Sequence, residues 1–242
     1  MFRIRLSMHT KAMGKDPLVA MDGISVEEEL PYRDLDDVIG QLTMNRYHYM
    51  LLFLCGLGFA VDAIEVVALS FISPCAGVDF SLNNSQIAAI TSAVFSGQVI
   101  GSLFWGPFAD VYGRWKAYMY SFYLLCAAGW ASGFAPSYTS LLILRFLVGI
   151  GVGGNIVPFD MYAEFLPPKS RGKQLTYTNA FWIFGELYVI VMALWLLPEY
   201  GWRGLIFATA VPVTIGGVSS YFMLPESPRW LVSQRRFAEA EQ

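Results

Sequence analysis

Gly106-Pro-Phe-Ala-Asp110-Val-Tyr-Gly113-Arg114-Trp-Lys116 is a short charged stretch between two long apolar runs. Its spacing predicts a tight turn that joins two membrane helices. We expect Gly106 and Gly113 to allow close helix approach or a positive φ angle, because glycine has no Cβ. Asp110 is placed where its carboxylate can accept hydrogen bonds from the N-terminal amides of a neighbouring helix or from an arginine.

The composition of the chain indicates a membrane protein with several spans. Hydrophobic residues make up 55% of the 242 residues and charged residues only 14%, which is too apolar for a domain with a hydrated surface. A helix needs about 20 apolar residues to cross the roughly 30 Å hydrocarbon core of a bilayer. Six stretches meet this requirement, at about 49–70, 86–109, 115–133, 138–159, 174–197 and 204–224.

The basic residues predict the orientation, because cytoplasmic loops of membrane proteins carry an excess of lysine and arginine. These residues cluster after the second, fourth and sixth predicted spans, whereas the opposite loops hold Arg203 alone. Both termini are therefore expected to be cytoplasmic. The polar segment 1–44 is predicted to be a mostly disordered tail, with a short interfacial helix at Asp36–Leu42.

Several function classes are excluded by missing motifs. The sequence has no phosphate-binding loop, no serine-hydrolase elbow and no zinc-protease motif. Cys55, Cys75 and Cys126 show no metal or disulfide spacing. We therefore expect no enzyme activity, no cofactor and no metal, and the net charge of −3 favours no nucleic-acid partner. The energy to move a solute across the membrane would have to come from an ion gradient or from another chain.

Two further motifs follow the fourth and sixth predicted spans. The first is Tyr162-Ala-Glu164-Phe-Leu-Pro-Pro-Lys-Ser-Arg171-Gly-Lys, and the second is Pro225-Glu226-Ser-Pro-Arg229. Together with the opening turn they resemble the loops of major facilitator superfamily transporters of the sugar-porter-like branch. The resemblance implies a cytoplasmic gate in which charged pairs close the inner side, and its predicted members are Gly106, Asp110, Gly113, Arg114, Lys116, Glu164, Arg171, Glu226 and Arg229.

Within this gate the resemblance implies that Glu164 faces Arg114. Glu226 and Arg229 would join the cluster from below the sixth span, and Asp160 is also expected there. The fold implied is an all-α membrane protein whose six transmembrane helices, at 45–224, form one half of a major facilitator fold as a 3+3 inverted repeat. Residues 225–242 would then begin a cytoplasmic helical linker to the second half.

The first predicted span carries a finer resemblance. The string Ala60-Val-Asp62-Ala-Ile-Glu65, with Ser73-Pro74 and Ser96-Gly97, is similar to synaptic-vesicle-2-related transporters and to bacterial aromatic-acid/proton symporters. In those symporters a pair of aspartates three residues apart in the first span is functional, which implies proton coupling. Here the second acid is a glutamate.

The residues themselves also point to a site in the membrane. Asp62 and Glu65 share one helix face, and a charge near the bilayer centre costs about 2.5–3.5 kcal/mol on insertion scales. Arg145 lies at a similar depth in the fourth span. We expect one acid to alternate between pairing with Arg145 and holding a proton, and a static structural triad is the alternative. Glu186 in the fifth span is either a proton or cation site or a neutral acid between helices.

Other residues have weaker assignments. Gln98, Trp182 and Tyr188 are possible lining residues of a solute cavity, although packing or contact with lipid is the more common role of such side chains. Asn83 begins a glycosylation sequon in a short outer loop, where an unmodified asparagine is expected.

The resemblance covers nearly all of the chain from about Asn45, and the simplest reading is a fragment or N-terminal half of a twelve-span carrier. A homodimeric half-transporter and a non-transporting six-span adaptor are the alternatives. The expected partners are a small organic solute, protons, the bilayer, and a missing second half or second copy. The protein would lie in the plasma membrane or an intracellular vesicle membrane. Paired acids suit protons or organic cations, Arg145 suits a carboxylate, and an organic acid carried with protons is the first expectation.

Overall fold

The computed structural model describes residues 44–236. The predicted tail and the interfacial helix at Asp36–Leu42 lie outside the described residues, apart from Met44, as does the end of the linker. The described part consists of helices without strands, which we label in chain order as α1 (Arg46–Asp79), α2 (Asn84–Tyr112), α3 (Arg114–Gly133), α4 (Tyr138–Val152), α5 (Ile156–Phe165), α6 (Pro168–Met223) and α7 (Pro228–Ser233).

Four helical segments of this part are long and apolar enough to cross a membrane, judged by length and composition. They are α1, α2, the α4–α5 segment and α6. The 56 residues of α6 would extend for about 84 Å as one straight helix, far more than one crossing needs. Gly201 interrupts it with a φ of 62° and a ψ of −164°. The six predicted stretches are helical apart from residues 153–155 and Leu224, and the count of six crossings stays a prediction.

The loops are shorter than the sequence predicts. The predicted outer loop at 71–85 is helical as far as Asp79, and the predicted loop at 198–203 lies within α6 apart from Gly201. These two places are tied together, because a carboxylate oxygen of Asp79 accepts hydrogen bonds from Trp202 Nε1 at 2.8 Å and from Arg203 Nη1 at 3.0 Å. The end of α1 is thus fastened to the break in α6.

Buried apolar residues form two clusters along the bundle. One lies towards the basic loops and includes Leu51, Tyr118 and Phe122, and the other lies towards the opposite end and includes Ile72 and Trp202. The main helix pairs are α1 with α6 and α2 with α4. The functional side chains described below lie between and beyond these clusters.

The α2–α4 contact is close because glycines face the neighbouring backbone. A Cβ added at Gly97 would overlap the carbonyl oxygen of Phe146, and one added at Gly149 would overlap that of Val94. Small residues of this kind allow helix backbones to approach each other in membranes. The glycines of α2 and α4 therefore allow the two helices to pack closely.

The fourth predicted span is not one continuous helix, which corrects the expected stretch 138–159. Helix α4 ends at Val152, and α5 begins at Ile156 after a turn at 153–155. The physical reason is Pro158, which has no N–H to donate and whose ring would clash with the carbonyl of Gly154 in a continuous helix. The turn places Pro158 in the first turn of α5, where proline is tolerated.

The opening motif also differs from the expected turn. Helix α2 continues to Tyr112, and the chain reverses at Gly113 alone, which has a φ of 112°. Gly106 lies inside α2 without a positive φ, and a Cβ there would meet no described atom within 4 Å. Gly113 therefore has the positive φ that the sequence predicts, whereas Gly106 is helical and no described helix approaches it closely.

We expect Gly149→Ala to destabilise the bundle, because the added methyl group would push the backbones of α2 and α4 apart. Overpacking of this kind costs about 1–3 kcal/mol. Gly129→Ala is the matched control, since a Cβ at this buried helical position meets no described atom within 4 Å. Apparent melting temperatures in detergent should fall for Gly149→Ala alone, and equal values for the two variants would contradict this packing.

Candidate functional site

Charged side chains from three helices meet at the end of the bundle that carries the basic loops. Arg114, the first residue of α3, lies 3.2 Å from Glu164 Oε1 in α5 and 3.4 Å from Asp110 Oδ1 in α2. Its other terminal nitrogen is 3.9 Å from Asp160 Oδ2. The contact between Arg114 and Glu164 that the resemblance implies is present, and so is the expected approach of Asp160.

The Pro-Glu-Ser-Pro-Arg motif joins the same cluster through Glu226. One oxygen of this carboxylate accepts hydrogen bonds from the backbone N–H groups of Trp115 and Ser227, each at 3.0 Å. The bond to Trp115 satisfies an amide at the start of α3, where a negative charge is favourable. Ser227 Oγ donates to Glu164. A Cβ at Gly113 would displace the Glu226 carboxylate, and the φ of 112° also favours glycine at this turn.

We call this group the basic-end cluster, and it consists of Asp110, Arg114, Asp160, Glu164, Glu226 and Ser227. Sequence reasoning missed Ser227, and it missed Trp230, whose Nε1 donates to the Asp110 carbonyl at 3.1 Å. Both residues lie in or next to the Pro-Glu-Ser-Pro-Arg motif. That position was the signal that could have identified them.

Three predicted members of the gate have other surroundings. Gly106 lies one helical turn before Asp110, inside α2. Lys116 is exposed and takes part in none of the ion pairs found between described residues. Arg171 donates from Nη2 to the Leu166 carbonyl at 3.3 Å instead of to an acid. Arg229 is half-buried in α7.

A second charged site lies deep in the bundle. Arg145 Nη1 in α4 is 3.2 Å from Glu65 Oε2 in α1, and the two side chains are 1% and 3% exposed. Arg145 Nε also donates to Ser132 Oγ in α3 at 3.3 Å, while Nη2 has no hydrogen-bond partner among the described residues. The ion pair therefore connects three helices, and Ser132 is a contact that sequence reasoning missed.

The buried pair satisfies a strong physical requirement. Removing one partner of a buried ion pair leaves an uncompensated charge and costs about 3–5 kcal/mol. Each member therefore needs the other while both are charged. The expected proximity of an acid in the first span to Arg145 is present, and the acid that pairs is Glu65.

Asp62 lies one helical turn before Glu65 and makes no ion pair within residues 44–236. Its Oδ1 atom is buried without a hydrogen-bond partner. Asp62 lines a cleft of about 380 Å³ together with Gln98 of α2 and Asn155 of the α4–α5 turn. We call it the polar cleft. Asn155 is 3% exposed, and its side-chain oxygen and nitrogen both lack partners in the described structure.

The other predicted residues lie apart from this cleft. Glu186 accepts a hydrogen bond from Trp182 Nε1 at 2.8 Å, one turn away on α6, and both side chains are half-buried. Tyr188 donates to the Ala208 carbonyl at 2.8 Å. Of the three possible lining residues, Gln98 is among the described residues that line the cleft, and Trp182 and Tyr188 are not.

Two remaining expectations concern modification and metal binding. Asn83 is exposed and caps α2, where its side chain accepts a hydrogen bond from the Gln86 amide at 2.9 Å. Within residues 44–236, no group of three or more histidine, cysteine, aspartate or glutamate side chains is arranged to hold a metal ion.

Four helical segments of the described part are long and apolar enough to cross a membrane, and a buried ion pair lies among the helices, as expected of an integral membrane protein. The family model described as "Sugar (and other) transporter" matches residues 42–242. The chain belongs to this family. The predicted superfamily and its sugar-porter-like branch are therefore confirmed, and because these relatives are transporters, so is the prediction that the chain is not an enzyme.

Individual relatives agree with this assignment. The chain is 35% identical over 206 residues to organic cation/carnitine transporter 7 of Arabidopsis thaliana, covering 85% of this chain and 41% of that protein. It is 34% identical over 223 residues to the synaptic vesicle 2-related protein of Rattus norvegicus, covering 90% and 40%. The predicted similarity to synaptic-vesicle-2-related proteins is confirmed. The chain thus spans about two fifths of the length of these relatives.

Solved structures show the same fold. The proton:xylose symporter XylE, a major facilitator superfamily protein, superimposes with a TM-score of 0.74 at 22% identity. The match covers 80% of this chain and 48% of the XylE chain. A partially occluded, inward-open structure of XylE from E. coli gives the same TM-score. The helices described above therefore adopt a major facilitator arrangement.

Proposed function

We propose that this chain is the N-terminal six-helix half of a secondary active transporter. The transporter would carry a small organic solute together with protons by alternating access. In this proposal the α4–α5 segment crosses once and α6 crosses twice, divided at Gly201, so that the six crossings form a 3+3 inverted repeat. The coverage of about two fifths of each relative supports a missing second half.

The observation that carries the proposal is the buried pair of Glu65 and Arg145 beside an unpaired Asp62. A proton on either acid removes a negative charge from a place where water screens little, and so changes how strongly Arg145 is held. Because two acids compete for one arginine, the site has two alternative arrangements, one in which Arg145 pairs with Glu65 and one in which it pairs with Asp62. Such a bistable element is what coupling of a proton to a conformational change requires.

The basic-end cluster is proposed to be the cytoplasmic gate. Arg114 and its acids are partly exposed, and hydrated pairs of this kind contribute only about 0–1 kcal/mol each. They can therefore break and re-form as the two halves of the transporter rock against each other. This assignment places both termini on the cytoplasmic side, in agreement with the distribution of basic loops.

Glu186 has a less central place in this proposal. Its hydrogen bond to Trp182 lies on one helix, so it does not link α6 to a neighbour. A half-buried carboxylate held in this way remains open to a proton or a cation. The alternative role, a neutral acid that bridges helices, has no bridging contact to support it among the described residues.

We expect Arg114→Ala and Glu164→Gln to lower the transport rate by about five- to thirtyfold, with a smaller effect on the amount of folded protein. Loss of several weak pairs shifts the balance between conformations by up to about 2 kcal/mol. Lys169→Ala is the control, because Lys169 is an exposed basic residue at the same end. Initial uptake rates of the twelve-span protein in proteoliposomes, normalised to folded protein, test this role. Wild-type rates in both variants would contradict it.

Uptake of a solute panel with and without an inward proton gradient tests the proposed function. The experiment compares reconstituted vesicles that hold this chain with vesicles that hold a twelve-span version. We expect gradient-stimulated uptake by the longer protein alone. Uptake by this chain would instead identify a homodimeric half-transporter. Absence of uptake by both would identify an adaptor, and uptake that ignores the gradient would contradict proton coupling.

A further inference from the structure

The polar cleft is lined by helices that belong to different parts of the bundle. Phe59 and Asp62 come from α1, and α2 contributes Phe95 and Gln98. The break between α4 and α5 contributes Asn155. The volume of about 380 Å³ is within the range of about 300–1,000 Å³ that is typical of small-molecule sites.

When Asp62 is ionised, the charge of the cleft is negative. Asp62 is the one ionisable residue among the described residues that line it. Arg145 is not among these lining residues, and its hydrogen bonds go to Glu65 and Ser132. Its positive charge is also compensated by Glu65. An anion that enters the cleft therefore meets an uncompensated carboxylate, whereas a cation is attracted to it.

Unsatisfied hydrogen-bonding groups belong to two of the lining residues. Asp62 Oδ1 and the side-chain oxygen and nitrogen of Asn155 are buried without partners in the described structure. Each such group destabilises the folded protein if nothing binds it. Two of these three atoms are oxygens that accept hydrogen bonds. A ligand with several N–H donors on a positive charge would satisfy both oxygens at once.

The walls suit an apolar or aromatic body next to that charge. Phe59 and Phe95 provide aromatic surface, and Val99, Val152 and Ile156 provide aliphatic surface. Aromatic faces attract cations that lie over them, and this attraction strengthens where water is excluded. The lining thus combines the Asp62 carboxylate, which accepts hydrogen bonds, with apolar walls.

We propose that the polar cleft binds the primary ammonium group of an organic cation between Asp62 and Asn155. The inference rests on the transport function proposed above and deepens it by naming the class of solute. An organic cation takes the place of the organic acid that the sequence predicts from Arg145, because that arginine is paired with Glu65. Asn155 acts as a specificity-determining residue, since its amide oxygen accepts from the ammonium group.

Direct binding to the purified full-length protein tests this inference without relying on transport. The probes are benzylammonium, the neutral benzyl alcohol and the anionic benzoate, which share one ring and differ in charge. Isothermal titration calorimetry in detergent should show benzylammonium binding at least about tenfold more tightly than the other two, because a hydrogen bond to a charged group is stronger than one between neutral groups. Tighter binding of benzoate, or no binding of benzylammonium, would overturn the proposal.

Variants test the two named residues. Asp62→Asn and Asn155→Leu should each weaken benzylammonium binding by about tenfold or more, whereas Asn84→Leu, at an exposed position at the start of α2, should leave it unchanged. Asn155→Asp adds a second carboxylate of nearly the same size and should tighten benzylammonium binding several-fold without tightening benzyl alcohol. Unchanged affinity in Asp62→Asn and in Asn155→Asp would overturn the inference.

The outcome is separable from that of the proposed function. Binding of benzylammonium through Asp62 and Asn155, without proton-driven uptake of any solute, would support this site and contradict the transport proposal. Proton-driven uptake with unaltered benzylammonium binding in the Asp62 and Asn155 variants would support transport and overturn this site.

Discussion

The ion pair between Glu65 and Arg145 is the constraint on which the deep part of the bundle depends. A lone charge in this position would face a medium that solvates it poorly, so each residue requires the other. Their contact holds α1 against α4, and the bond from Arg145 to Ser132 adds α3. Because Arg145 is occupied in this way, Asp62 is left as the charged residue that faces the polar cleft.

The two charged sites differ in strength for a physical reason. The buried pair is shielded from water, so a change in its protonation has large consequences for packing around it. The basic-end cluster is hydrated, and its pairs are individually weak. Weak contacts at one end and a strong contact in the middle agree with the proposed function. In that proposal a proton binds deep in the membrane and a gate opens or closes at the surface. The backbone contacts of Gly97 and Gly149 hold α2 and α4 close together.

Much of this arrangement could be predicted from the sequence, because it follows from charge and apolar length. The pairing of Arg114 with Glu164 follows from family motifs, and the approach of an acid in the first span to Arg145 follows from opposite charges at matched depth. The sequence leaves open which of Asp62 and Glu65 makes the pair. Helix breaks were harder to predict. Pro158 supplies a local signal for the turn at 153–155, but the apolar run around it favours one long span.

Features that depend on tertiary contacts could not be predicted in this way. The extension of α1 to Asp79 depends on Trp202 and Arg203, which are more than 120 residues away along the chain. The role of Asn155 depends on the absence of a partner for its amide among the described residues, which only coordinates can show. Gly106 resembles Gly113 in the sequence, yet only Gly113 adopts a positive φ beside the Glu226 carboxylate.

The central claim is that Glu65 and Arg145 couple proton movement to solute transport in addition to holding the helices together. The most direct test separates these two roles. Glu65→Gln leaves Arg145 unpaired and should destabilise the protein by about 3–5 kcal/mol, whereas the double variant Glu65→Gln with Arg145→Gln should recover much of that stability. The decisive measurement is accumulation of solute driven by a proton gradient in vesicles that contain the folded double variant. Our account predicts that this accumulation is lost, and accumulation at the wild-type level would contradict it.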